Sequence, residues 1–181
     1  MNYPHWGMDD KDTYFYKAIY AGWIKAVDFL CTLPEVDTTQ VGVIGASQGG
    51  ALSLVTASRD SRITACVAYH PALTEILGYA HGGTGGWPNL FKERQQYNNP
   101  EAKMKTMQYY DAVNFARQLQ VLVYMMLGYN DRTCSPTSFY ALYNTIPSQK
   151  QMTLARDCAH WFYPAQHQGA YDWHKATLKT K

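Results

Sequence analysis

Charge is scarce in this 181-residue chain, and what there is nearly cancels. Lys and Arg number 16 against 14 Asp and Glu, a formal net charge of +2, and no basic run or stripe appears. That argues against a nucleic-acid surface. Long apolar runs are missing too; none approaches the roughly 18–20 residues of a membrane-spanning helix, so no membrane partner is expected. The N-terminus, MNYPHWGMDDKD, lacks the charged start and apolar core of a secretory signal, so a chain that begins there is expected in the cytoplasm. Cysteine is sparse: Cys31, Cys66, Cys134 and Cys158 have neither zinc-site spacing nor the density of a disulfide scaffold. Reduced thiols are therefore expected, with Cys134 and Cys158 falling near each other in the fold derived below. There is no internal repeat, low-complexity tract or linker. One domain with a real core fits the length.

What is present is aromatic and periodic. Aromatic residues make up 14%, with 15 Tyr, a number that suits a wet cleft or sugar-facing surface as well as a core. Residues 12–33 carry apolar side chains at helical spacing (Tyr16, Ile19, Tyr20, Trp23, Ile24, Val27, Leu30), with Asp12 or Thr13 placed to cap the start and Pro34 beyond the end. VGVIG, at 41–45, reads as a strand buried on both faces. A helix follows from about Ser47. ITACVAYH is the next buried strand, and a long stretch from Pro71 to Met107 has weak periodicity and a glycine cluster. YYDAVNFARQL reads as a short helix, VLVYMMLG as a third strand, PTSFYALYNTI as a helix, KQMTLAR as a fourth strand and YPAQHQGAYDWHKATL as a closing helix. Strands alternating with helices predict a parallel sheet with helices on both faces, a three-layer α/β fold.

The segment Gly45-Ala46-Ser47-Gln48-Gly49 matches G-x-S-x-G, placed where a buried strand enters a helix. That is the pattern of a nucleophile elbow. Glycine at 45 and 49 is expected to relieve the crowding of the turn, and the helix N-terminus behind Ser47 favours developing negative charge. A nucleophilic serine needs a base, and the base an orienter. In such a sheet both arrive on loops at the carboxyl edge, in the order Ser, Asp or Glu, His. Asp131 follows the third strand and His160 the fourth. His167 and His174 fall in the last helix and are expected on an exposed face. Asp157 shares the loop of His160, and Asp111 precedes the third strand. Ser47, Asp131 and His160 are therefore the expected triad, with the Gln48 N–H as oxyanion donor. His70, Tyr129 and Trp161, beside strand ends, are expected pocket walls. GYAHGGTGGWPNL, within 71–108, is a candidate lid. The chemistry needs no metal or organic cofactor.

The stretches AVDFLCTLPEVDTTQVGVIGASQGGALSL, YYDAVNFARQLQVLVYMMLGYNDRTCSPTSFYALYNTIPSQKQM and CAHW resemble the acetyl xylan esterase and cephalosporin C deacetylase family of α/β-hydrolases. The resemblance covers most of the chain outside 71–108 and corresponds to the family's carboxyl-terminal portion. It implies Ser47 as nucleophile, Asp131 as orienter and His160 as base. It also implies removal of acetyl groups from xylan fragments or similar small esters, and a homo-oligomer. The family fold has several strands before the elbow, where this chain has about one helix. The early loop that normally gives the second oxyanion donor has no counterpart here, and the sheet is expected to begin at the elbow strand. Rival readings are a peptidase or dienelactone-type hydrolase of the same fold, and a non-catalytic truncated hydrolase that binds a partner.

Overall fold

A computed structural model describes residues 3–179. Four parallel strands form one sheet: β1 (Val41–Ala46), β2 (Ile63–Tyr69), β3 (Leu122–Gly128) and β4 (Lys150–Ala155), in the spatial order β1-β2-β3-β4. The helices between them are α1 (Phe15–Leu30), α2 (Gln48–Arg59), α3 (Pro100–Gln108), α4 (Ala112–Ala116), α5 (Pro136–Thr145) and α6 (Pro164–Lys179). Every strand anticipated from the sequence is present. Helix α3 was hidden in the weakly periodic stretch; its signals are Pro100 at its first turn and a buried face of Lys103, Thr106 and Met107.

Side chains alternate across the sheet. Cys66, Ala68, Val123, Met125 and Leu127 join the large core shared with α1, α2, α4 and α5. Val67, Tyr69 and Met126 point to the opposite face, where Ala170 of α6 seals a smaller core with Tyr124, Phe162 and Trp173. His174, expected on an exposed face of α6, is buried. It lies so close to the sheet that a side chain at Gly42 would meet its Nε2 at 2.0 Å.

Tyrosine is largely a core residue in this fold. Tyr14, Tyr16 and Tyr20 are buried; Tyr16 packs edge-on with Tyr20 and Tyr14 with Tyr110, while Tyr14 and Tyr16 meet at a tilt. Their hydroxyls find acceptors: Tyr14 donates to Pro4 O at 3.1 Å and Tyr20 to Tyr110 O at 2.8 Å. The start of α1 is not capped by Asp12 or Thr13. Its N-cap is Tyr14, with no side-chain capping bond, and the packing of that aromatic cluster sets where the helix begins.

Strand β1 departs from its expected burial. The apolar run suits a central strand, yet among the described residues β1 pairs with β2 alone. Its side chains are half-buried or exposed, and Ile44 keeps 40% of its surface in water. The chain on either side of the candidate lid is packed, with Ala72, Leu73, Ile76 and Phe91 buried, while the tip of the lid segment itself, residues 81–84, is exposed. Asp111 staples the turn before that segment, accepting from the N–H groups of Glu75 (3.0 Å) and Ile76 (2.7 Å) while capping α4 through the Val113 N–H. Burial pushes the Asp111 carboxyl up to about 6 against the pull of these bonds.

Candidate active site

Ser47 stands between β1 and α2 with φ 55° and ψ −118°, a conformation that costs about 1–3 kcal/mol and persists only where the surroundings dictate it. Here they do. The Ser47 N–H donates to Tyr69 O at 3.0 Å, and the Ser47 carbonyl accepts from Ala51 (3.1 Å) and Ala72 (3.0 Å). The turn closes so tightly that a Cβ at Gly45 would meet Gly49 O at 2.2 Å. At Gly50 it would meet Tyr69 O at 2.9 Å, whereas Gly49 has open space around it. The glycines that the elbow requires are therefore 45 and 50, not 45 and 49, because residue 49 faces away from β2.

The strand ends bring the other two groups to Ser47. His160 Nε2 lies 3.0 Å from Ser47 Oγ, and His160 Nδ1 lies 2.7 Å from Asp131 Oδ2. The buried Asp131 spends its other oxygen on the N–H groups of Thr133 (2.8 Å) and Cys134 (2.9 Å). Burial alone would raise this carboxyl. The bonds from His160, Cys134 and Thr133 outweigh it and hold Asp131 below the usual carboxylate range. An ionised Asp131 fixes the Nδ1–H tautomer of His160, which leaves Nε2 free to accept the Ser47 proton. Asp157 is exposed and accepts instead from the Tyr163 hydroxyl at 3.1 Å.

The acetyl xylan esterase family model matches residues 3–177. The chain belongs to the acetyl xylan esterase family. It is 46% identical over 155 residues to the acetyl esterase Axe7A of Xylanibacter ruminicola, a match covering 86% of this chain and 35% of that protein. The acetyl xylan esterase from Paenibacillus sp. R4 superposes with a TM-score of 0.88 at 28% identity, over 96% of this chain and 57% of that one. Acetyl xylan esterase 1 from Thermoanaerobacterium sp. JW/SL YS485 gives 0.76 at 27%, over 93% and 55%. The fold is thus that of the family's α/β-hydrolase sheet, and the chain spans about a third of its curated relative and just over half of the two solved esterases.

Around Ser47, His160 and Asp131, this acetyl xylan esterase family member places further residues that the sequence only partly exposed. Gln48 opens α2, so its N–H has no acceptor within the helix. Its side chain is held at both ends: Tyr16 Oη donates to Oε1 at 2.9 Å and Nε2 donates to Tyr3 Oη at 2.6 Å. Nothing in the sequence pattern signals that clamp, which joins the N-terminal segment to the elbow. Tyr129 and Trp161 stand exposed beside the ends of β3 and β4 (55% and 66%). His70 is placed differently. Only 3% exposed, it packs its ring against His160 with centroids 4.6 Å apart. His167 is exposed but stacks on Phe162 at 5.1 Å.

All four cysteines are free. The Cys158 thiol donates to Trp161 O, and the Cys134 thiol lies against the side chain of Ser47 and the backbone of Trp87. Asp131, Cys134 and His160 offer ligand-type atoms within 4.8 Å of one another. As a metal cradle the set fits poorly. His160 Nδ1 and Asp131 Oδ2 are committed to each other, and burial pushes the Cys134 thiol up to about 12, away from the thiolate a metal needs. No described helix is long and apolar enough to cross a membrane.

Proposed function

We propose that this chain carries the reacting centre of a serine carboxylic-ester hydrolase that removes acetyl groups from xylan fragments or similar small acetylated carbohydrates. The observation that carries the reading is the relay from Ser47 Oγ through the His160 ring to Asp131, 3.0 Å and 2.7 Å, on a strained elbow. His160 Nε2 takes the Ser47 proton as Oγ attacks the ester carbonyl. The Gln48 N–H, at the positive end of α2, steadies the oxyanion. The imidazolium, held by Asp131, passes its proton to the departing alcohol. Water then enters by the same route in reverse and releases acetate from Ser47.

A tetrahedral oxyanion wants two donors, and loss of one costs roughly 10²–10³ in turnover. Gln48 supplies one. Among the described residues nothing pairs with the outer edge of β1; a second donor and strands against that edge are what a longer polypeptide would supply, and the relatives are longer than this chain. A polypeptide extended by those strands is therefore expected to turn over faster than residues 1–181 alone. Self-association through the open β1 edge is the corresponding expectation for the chain by itself.

Hydrolysis of p-nitrophenyl acetate by the wild-type chain, abolished in Ser47→Ala, tests the chemistry. Acetate esters are expected to react faster than butyrate or octanoate esters. A rate rising with acyl length points to a lipase-like site, and cleavage of peptides but not acetylated xylo-oligosaccharides points to a peptidase; either sinks the reading.

A further inference from the structure

His70 is a polar residue where an acyl-transfer site has no evident need of one. It follows β2 directly, at φ 29°, with its N–H donating to Met126 O at 2.8 Å across to β3. That bond and the positive φ aim the ring over the ends of the central strands instead of along the sheet face. There it meets the loop that carries the base. The His160 ring lies 4.6 Å away, tilted by 50°, and the Phe162 ring stacks on it at 5.8 Å and 15°. Residues 160 and 162 thus hold one imidazole between them, with Trp161 stacked outside on Phe162 at 5.3 Å. His70 Nδ1 is buried without a hydrogen-bond partner. A buried unpartnered ring nitrogen is costly and needs a reason.

We propose that His70 is a positioning residue for His160: a neutral ring, gripped by His160 and Phe162, that fixes the base loop against the strand ends. The inference rests on the acyl-transfer reading above and goes beyond it, since that chemistry assigns His70 no step. Asp131 sets only one edge of the His160 ring, through the Nδ1 bond. The Nε2 contact with Ser47 is broken and remade in every turnover, which leaves Nδ1 as the lasting hold; a ring held there alone swings about that bond, and a displacement of about 1 Å can cost a hundredfold in rate. His70 supplies a second contact on the ring itself. The role requires a neutral wall, because a cation beside the imidazolium would oppose the charge that forms on His160 in every turnover. The groups facing His70 fit this. His160 and Asp131 act on it with opposite sign, and His167 lies beyond Phe162. Burial, then the neighbouring His160, hold the His70 imidazole down at about 4.

The test is the rate at which a fluorophosphonate labels Ser47, measured from acid to neutral pH on the wild-type chain, His70→Ala and His70→Phe. This reaction needs the Ser47–His160 pair but no acetyl substrate, and melting curves fix the native fraction of each protein. His70→Ala is expected to label roughly tenfold to a hundredfold more slowly per native molecule. The acid limb of its pH profile is expected to move to higher pH, because water admitted beside His160 favours the imidazolium. His70→Phe keeps a neutral ring and is expected to recover to within about threefold, with the limb back in place. The proposal is overturned if His70→Ala labels at the wild-type rate with an unchanged profile, or if His70→Phe is as slow as His70→Ala. A wild-type chain that does not label at all refutes Ser47 as the nucleophile, a different failure that takes the role of His70 with it.

Discussion

Replacing Asp131 by Asn changes one oxygen into an NH2 group at nearly constant volume, and the surroundings decide which way the amide turns. The Oδ1 position accepts two N–H groups, from Thr133 and Cys134 at 2.8 and 2.9 Å. An amide oxygen can keep both bonds, which directs the new NH2 at His160 Nδ1, now 2.7 Å from Oδ2. A donor facing Nδ1 selects the tautomer with hydrogen on Nε2, and that nitrogen can no longer take the Ser47 proton. The same exchange in a serine protease lowers kcat about 10⁴-fold, near 5.5 kcal/mol of barrier. Folding is expected to change by less than about 1.5 kcal/mol, since no buried partner is orphaned. Asp157, on the same loop as His160 but bonded to Tyr163, is the control; Asp157→Asn is expected to stay within about twofold, as surface substitutions usually do. Steady-state kinetics on p-nitrophenyl acetate, with thermal melts alongside, decide the matter. Equal losses in the two variants, or an Asp131→Asn enzyme retaining a tenth of its activity, would refute the assignment.

Three further outcomes follow from the same geometry. Gly45→Ala drives a Cβ to 2.2 Å from Gly49 O while Gly49→Ala meets nothing; thermal melts are expected to show a loss of at least about 1–3 kcal/mol for the first and a neutral or slightly stabilising effect for the second, and equal effects would contradict the elbow geometry. Ile44→Lys places a charge on the open edge of β1, so light scattering after size exclusion is expected to show less self-association than the wild type, and unchanged association moves the contact elsewhere. The unfolded chain protonates His70 near the usual ~6.5, but the folded chain does so only at about 4, so stability falls as pH drops through that window; Asp111, raised to about 6, acts in the opposite sense. Comparison with His70→Phe isolates the histidine, and urea melts at about pH 7 and pH 4.5 should show the variant gaining about 2 kcal/mol on the wild type upon acidification, whereas a constant gap contradicts it.

Hydrophobic period made the sheet and most helices legible in the sequence, and chain order singled out Ser47, Asp131 and His160 at strand ends, which the fold brings within hydrogen-bonding distance. What stayed hidden depends on contacts that no local pattern encodes. The half-exposed faces of β1 are one case: its place at the start of the sheet was expected, but VGVIG has the composition of a strand buried on both faces, because composition reports what a strand is built to touch. His174 reads as a solvent-facing residue of a polar helix, yet Gly42, the second residue of β1, lets α6 approach until the ring is covered. Helix α3 escaped because its buried face includes Lys103, which is buried while paired with Asp9. The Tyr3–Gln48–Tyr16 clamp joins residues up to 45 apart, and His70 gave away its position at a strand end but not the direction of its ring.

Peptide mapping by mass spectrometry after fluorophosphonate treatment of the native chain tests the central claim most directly. A nucleophile activated by His160 and Asp131 predicts one adduct, on the peptide bearing Ser47, abolished in Ser47→Ala and slowed by orders of magnitude in His160→Ala. An unlabelled chain, or an adduct at another serine that persists in Ser47→Ala, contradicts the account.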